Sequence, residues 1–336
     1  MGVKLKDIAE KLGVSSGTVS KALNDKEGVG HDLRKKIKKA AKEMGYRPNP
    51  IAQRLSTNRS NTIGVFMLNR DHIRLKESFG IEIVDGITEQ ANQAQYDILL
   101  FTITKDTYSQ RSYLELCRER KVEGAIFISL CLDDPHIEEI KEAEMPVAVI
   151  DIKLEGKNLG YITSNNYSGI EQALDYLFEM GHRKIGFIGS CEGAEVSQIR
   201  LQAYQDYMQQ AGFYDEDYIW RGDFSKESGQ QVAEEILSTP DKPTALIAVS
   251  DLMALEIMKT LKKAGVAIPE DISIIGFDDI PAARYSDPAL TTVAQNGIGL
   301  GKEATKFILD SLEGKKTSDA KLLATELVLR ESVAER

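Results

Sequence analysis

The chain has 336 residues, of which 28% are charged and 42% hydrophobic, and a formal net charge of −10, which describes a soluble chain sized for two or three domains. The first sixty residues hold 14 Lys+Arg against 6 Asp+Glu, a local charge of +8, while the remainder holds 28 against 46, or −18, so a polyanion is expected to meet one end only. No apolar run is long enough to span a membrane, no signal peptide is visible, and three widely spaced cysteines with four scattered histidines offer no zinc-type set, so a cytoplasmic protein with reduced thiols, no metal and no cofactor is expected.

The basic head opens with an amphipathic helix over Lys6 to Leu12, in which Ile8, Ala9 and Leu12 share a face and Gly13 ends the helix. Ser15 is placed as N-cap of a second helix, Ser16 to Asn24, whose apolar stripe is Val19, Ala22 and Leu23. Ser16, Gly17, Ser20 and Lys21 are left outward. A third helix from Asp32 to Met44 buries Leu33, Ile37, Ala40, Ala41 and Met44, carries Arg34, Lys35, Lys36, Lys38, Lys39 and Lys42, and stops at Gly45. A Lys-rich helix alone is more often a solvated face. Combined with a tight turn and small polar residues opening the second helix, it has the footprint of a helix-turn-helix that reads the major groove.

The run Lys6-Asp7-Ile8-Ala9-Glu10, Gly13-Val14-Ser15, Thr18 to Asn24 and Gly45-Tyr46-Arg47-Pro48-Asn49 closely resembles the head of the LacI (lactose repressor) family of transcription factors. The resemblance implies that the second helix lies in the major groove, with Ser16, Gly17 and Lys21 at base-reading positions and further DNA contacts from Thr18, Ser20, Asn24 and Tyr46. Two residues depart from the commoner pattern: Gly17 has no side chain to read with, and Lys21 is a point charge where an arginine fork would grip guanine bidentately.

Residues 47–62 read as a linker followed by a short helix, with Asn49 as N-cap and Pro50 at the first helical position. A helix of about two turns is marginal alone in water and needs a partner. The resemblance implies a hinge that folds as two copies pack in the operator's minor groove, with Asn49 and Ala52 at the DNA and Leu55 as the wedge that opens a base step. An interdomain linker with an incidental leucine is the competing reading.

From Ile63 the pattern changes to short apolar runs separated by amphipathic helices. Strands are predicted at 63–68, 97–101, 124–128, 146–151, 184–189, 245–249 and 272–278. The expected fold class is α/β: a three-helix helix-turn-helix head (1–46), a hinge (47–62) and a core (63–336) of two doubly wound parallel-sheet lobes. The lobes are placed at 63–162 plus 293–322 and at 163–292 plus 323–336. In such sheets ligands bind beyond the carboxyl ends of strands, where Asp151, Ser250, Asp251 and Asp278 gather.

This core resembles the periplasmic sugar-binding fold joined to LacI-type heads, its most specific marks being Asp271 to Asp279 and Pro288 to Val293. The resemblance implies effector contacts at Asp151, Arg200, Phe224, Ser250, Asp278 and Gln295, joined by Asp251 and by Phe79 after the first strand. Carboxylates that accept hydroxyls, an arginine fork and an aromatic face suit a carbohydrate. Ser250 or Asp251 could equally cap the next helix, and Phe224 could be core. The charged segment from Arg70 to Phe79 leaves an acidic or phosphorylated sugar open.

Catalysis is not expected: Gly-x-Ser-x-Gly, His-Glu-x-x-His and a phosphate-binding Gly-Lys-Ser/Thr loop are all absent. Gly297-Ile298-Gly299-Leu300-Gly301 reads as a flexible lead-in to a helix from Lys302 to Leu312. The expectation is a homodimeric repressor that binds a pseudo-palindromic duplex operator and is released from it by a sugar-like effector. A regulator answering to a purine or a partner protein, or a stand-alone solute receptor, are the alternatives.

Overall fold

The computed structural model describes residues 3–46, 59–69, 79–104, 111–190 and 193–336. It divides into two compact units, Met1–Ser60 and Asn61–Arg336. The expected hinge, with Asn49, Ala52 and Leu55, lies outside the described residues, as do Arg70 to Ser78 and Cys191.

In the first unit, α1 (Leu5–Leu12), α2 (Ser16–Leu23) and α3 (His31–Glu43) form the expected three-helix head. Gly13 ends α1 at φ 64°, a left-handed conformation that costs glycine nothing, and the chain turns at once into α2. Ser15 caps α2 by accepting the Thr18 amide at 3.0 Å. Ile8, Val19 and Ile37 are fully buried where the helices meet, and Ala9, Ala22, Ala40 and Ala41 let the backbones approach. Burying each of those three large side chains stabilises the head by about 2 kcal/mol.

Among the described residues of the second unit, twelve strands form two six-stranded sheets. The strands are β1 (Thr62–Asn69), β2 (Asp97–Thr104), β3 (Gly124–Ile128), β4 (Val147–Ile150), β5 (Leu159–Ser164), β6 (Ile185–Gly189), β7 (Ile219–Arg221), β8 (Ala245–Ala248), β9 (Ser273–Asp278), β10 (Thr291–Ala294), β11 (Ala320–Leu323) and β12 (Glu326–Val328). The first sheet runs β11-β5-β4-β3-β1-β2 and the second β12-β10-β9-β8-β6-β7. All neighbours are parallel except β10 and β12. Every residue of β3, β4, β6 and β8 is buried, as expected of parallel strands covered by helices on both faces.

The chain crosses between lobes three times. It leaves the first sheet after β5 and enters the helix Asn166–Glu179, which packs in the second lobe. It returns after β10 through the helix Gly297–Leu312, which packs on the first sheet, and crosses again between β11 and β12. The glycine run 297–301 is not a lead-in: it forms the first turns of that helix, capped by Asn296, which accepts the Gly299 amide at 2.7 Å. Close packing explains the glycines. A Cβ on Gly301 would lie 2.1 Å from the Ile83 carbonyl oxygen, and one on Gly86 would lie 2.1 Å from that of Ile298.

Candidate functional site

On the head, Ser16, Gly17 and Lys21 are exposed along α2, while Thr18, Ser20 and Asn24 are partly covered. The Thr18 hydroxyl lies 2.9 Å from that of Ser15, and Asn24 donates to the Ser20 carbonyl at 3.0 Å. Tyr46 packs against the head's apolar cluster. The basic field is thinner than the sequence implies. Arg34 and Lys38 both bond Asp25 Oδ1, at 3.1 and 2.7 Å, and hold that carboxyl below its ordinary pKa. These two cations brace the turn between α2 and α3.

In the second unit, the expected effector residues stand at the carboxyl ends of strands from both sheets. Asp151 follows β4, Ser250 and Asp251 follow β8, Asp278 ends β9 and Gln295 follows β10. Asp151 (φ 66°), Phe224 (φ 69°) and Asp278 (φ 117°) occupy the left-handed backbone region that side chains avoid, as does the neighbouring Asp279 (φ 59°). Such conformations persist only where the surroundings enforce them, and they gather at functional sites.

Arg200, from the helix Glu195–Ala211, is 2% exposed. Its Nε donates to Asn166 Oδ1 at 2.8 Å and its Nη1 to the Val249 carbonyl at 2.5 Å, while the guanidinium carbon sits 3.6 Å from the Phe277 ring centroid. Burial weakens its hold on the proton, and the field of Asp278, Asp151 and Asp251 opposes that. Asp151 Oδ1 accepts from the Thr163 hydroxyl at 2.7 Å, and Asp278 Oδ1 accepts from Gln295 Nε2 at 2.7 Å. Burial raises the pKa of both carboxyls, Asp278 to about 7, against the pull of Arg200.

Asp251, expected at the effector, is bonded within the second lobe. It is fully buried, and its oxygens accept from the Thr292 hydroxyl at 2.6 Å and the Ile280 amide at 2.9 Å. These bonds hold the turn that aims Asp278. Ser250 takes the N-cap role for the helix Asp251–Lys263, accepting the Met253 amide at 3.4 Å. Phe224 is partly exposed at the edge of the second lobe's cluster, and Phe79 packs against apolar clusters of both lobes. Phe79 also lies against the crossover: a Cβ on Gly297 would meet its ring at 2.8 Å.

The sequence reading did not single out Asn166, Thr163, Glu82 or Glu195. Glu82 is raised in pKa by burial, then by Asp279 and Asp85. Glu195 accepts the Lys153 amide at 2.5 Å, and the Leu132 amide donates to the Gly193 carbonyl at 3.0 Å, so the strand-end loops of the two lobes are joined directly. Asn166 shows one legible signal, the polar run Ser164-Asn165-Asn166 after apolar residues. Among the described residues no three His, Cys, Asp or Glu side chains converge as a metal site, and no helix is long and apolar enough to cross a membrane. Cys117 and Cys131 are buried, and burial pushes the Cys117 thiol up to about 12.

Comparison with known proteins places this arrangement. Residues 4–49 match the family model "Bacterial regulatory proteins, lacI family", and residues 174–333 match "Periplasmic binding protein-like domain". The HTH-type transcriptional repressor CytR of Escherichia coli (strain K12) is 33% identical over 331 residues, covering 98% of this chain and 95% of the relative. The chain belongs to the LacI family. Among solved structures, this LacI-family chain is 31% identical to a transcriptional regulator CelR-cellobiose complex, with a TM-score of 0.72 over 98% of this chain and 99% of that one. It is 26% identical to the lac repressor dimer bound to operator and the anti-inducer ONPF, with a TM-score of 0.81 over 99% of this chain and 100% of that one.

Proposed function

We propose that this LacI-family chain represses transcription from the cytoplasm as a homodimer, and that a small, hydroxyl-bearing effector in the cleft sets its hold on a pseudo-palindromic operator. One observation carries the reading. The same chain presents an α2 face of Ser16, Gly17 and Lys21 and a buried Arg200 whose field is shared by Asp151 and Asp278 at strand ends of both lobes. Helix-turn-helix dimers mirror their two-fold axis in the DNA, so half-sites are expected in inverted pairs. Carboxylates of both lobes converge where a ligand's hydroxyls would bridge them, and a ligand shifts the lobes only by binding one arrangement better than the other.

A purine or nucleoside is a second reading, favoured by Phe79 and Phe224, which offer partly exposed flat faces for a base. Sequencing the genomic DNA that the protein retains, then calorimetry of the full chain against sugars, sugar phosphates, purines and nucleosides, tests both. Retention of random DNA sinks the regulator reading, and heat from purines or nucleosides alone replaces the carbohydrate with a base. Leu55 is the proposed minor-groove wedge: Leu55→Ala should weaken operator binding at least tenfold, or about 1.4 kcal/mol, in a gel-shift titration while calorimetry shows unchanged effector affinity. Equal loss of both would remove Leu55 from the hinge.

A further inference from the structure

We infer that the cleft takes an uncharged ligand bringing at least three hydrogen-bond donors, and that Ser164, Ser190 and Gln295 bind it directly. The inference rests on the effector reading of the cleft and names the chemistry that the cleft selects.

Among the described residues, the buried side-chain oxygens left without a hydrogen-bond partner are Ser164 Oγ, Ser190 Oγ and Gln295 Oε1. Their residues are 1%, 6% and 9% exposed. Buried polar groups in native proteins are almost always paired, and each exception calls for an explanation. These exceptions share a location. Ser164 ends β5, and its backbone N–H donates to the Asp151 carboxylate. Ser190 follows β6, and its N–H donates to Ser197 Oγ at 2.8 Å, one helical turn before Arg200. Gln295 follows β10 and donates to Asp278 at 2.7 Å. Ser164 and Gln295 therefore adjoin Asp151 and Asp278, and Ser190 bonds the helix that carries Arg200, so the three come from strand ends of both lobes.

The hydrogen-bond polarity of Gln295 is fixed by its neighbour. Gln295 must turn its NH2 toward the Asp278 carboxylate, which leaves Oε1 as an acceptor. The carboxylates of Asp151 and Asp278 retain acceptor capacity beyond Thr163, Ser164 and Gln295. Three acceptors ask for three donors from the ligand, and the two serine hydroxyls adapt to either role.

Charge points the same way. Asp151, Asp278 and Glu82 act on this volume, and Glu195 acts on Asp151. Among the described residues, Arg200 stands against them, with two of its nitrogens committed to Asn166 and Val249, while Arg330 is paired with Asp279. A phosphate set against these described groups would bring acceptors and negative charge to atoms that already carry both. Hydroxyls of a sugar or a ribose satisfy every group.

The test uses the full chain and a metabolite extract of cells that make it, separated on an anion exchanger into an uncharged flow-through and a phosphate-bearing eluate. The flow-through should raise the thermal midpoint and the eluate should not. A rise from the eluate alone overturns the inference, whereas a rise from neither sinks the effector reading beneath it. In a dilution series of the flow-through, Ser164→Ala and Ser190→Ala should each need about threefold to tenfold more extract for half the shift, the loss expected of one hydrogen bond. Their ligand-free midpoints should hold or rise, because each removes a buried unpaired group. Unchanged half-points, or lowered ligand-free midpoints, would show hydroxyls that serve the fold and not a ligand.

Discussion

Arg200, proposed as an effector contact, also holds the fold together. Its cation is buried, stacked on Phe277 and bonded to Asn166 and Val249, so it ties the start of one helix to the ends of two strands. Removing it would strand Asp151 and Asp278 without a counter-charge. Arg200→Ala should therefore lower folding stability by about 3 kcal/mol or more, as breaking one side of a buried charged set does, measurable by urea denaturation. Asp278 provides a pH signature. Its carboxyl is raised from 3.8 to about 7, so between those values the folded chain keeps a proton that the unfolded chain has lost. That group favours the folded state at low pH, and its contribution fades as the pH climbs to about 7. Effector binding should run the opposite way, because an ionised carboxylate is the better acceptor. Calorimetry should find affinity rising from about pH 6 to 8, and Asp278→Asn should flatten the rise.

At the scale of elements, the strands that can be read from sequence are those buried on both faces. Ile63 to Leu68, Gly124 to Ile128 and Ala245 to Val249 are unbroken apolar runs because helices cover both sides of their sheets. The edge strand β7 is only three residues long, β11 exposes most of its side chains, and β5 is broken by a glycine, so periodicity passes over them. The site divides in the same manner. Asp151 and Asp278 are legible as acids leaving strands, whereas Asn166, Thr163, Ser164 and Ser190 acquire their roles from partners distant in the chain. Glycines 86 and 301 are legible only as breakers, yet they let two helices touch backbone to backbone. Gly301→Ala would push a methyl group into the Ile83 carbonyl and should cost about 1–3 kcal/mol, the usual range for overpacking. A thermal midpoint equal to that of the unaltered chain would contradict that packing.

For the molecule as a whole, the charge of −10 separates into +8 on the head and hinge and −18 on the body. Only the head offers phosphates a favourable field, and within it Arg34 and Lys38 are committed to Asp25. The salt dependence of operator binding should consequently be steep but shallower than the head's full cation count implies, with a slope of roughly −0.9 per neutralised phosphate. A filter-binding titration across salt measures that slope, and a flat response would remove the head from the DNA.

The three crossings between lobes constrain more than geometry. A chain that passes from one sheet to the other after β5, after β10 and after β11 leaves neither lobe made of a single continuous segment. Neither can be synthesised to completion before the other has begun, because β11 of the first lobe emerges after nearly all of the second. Nascent first lobe must wait with an open sheet edge beside β5 until β11 leaves the ribosome, and such an edge is the kind that invites mispairing. For this body, folding is finished only once β11 and β12 have emerged.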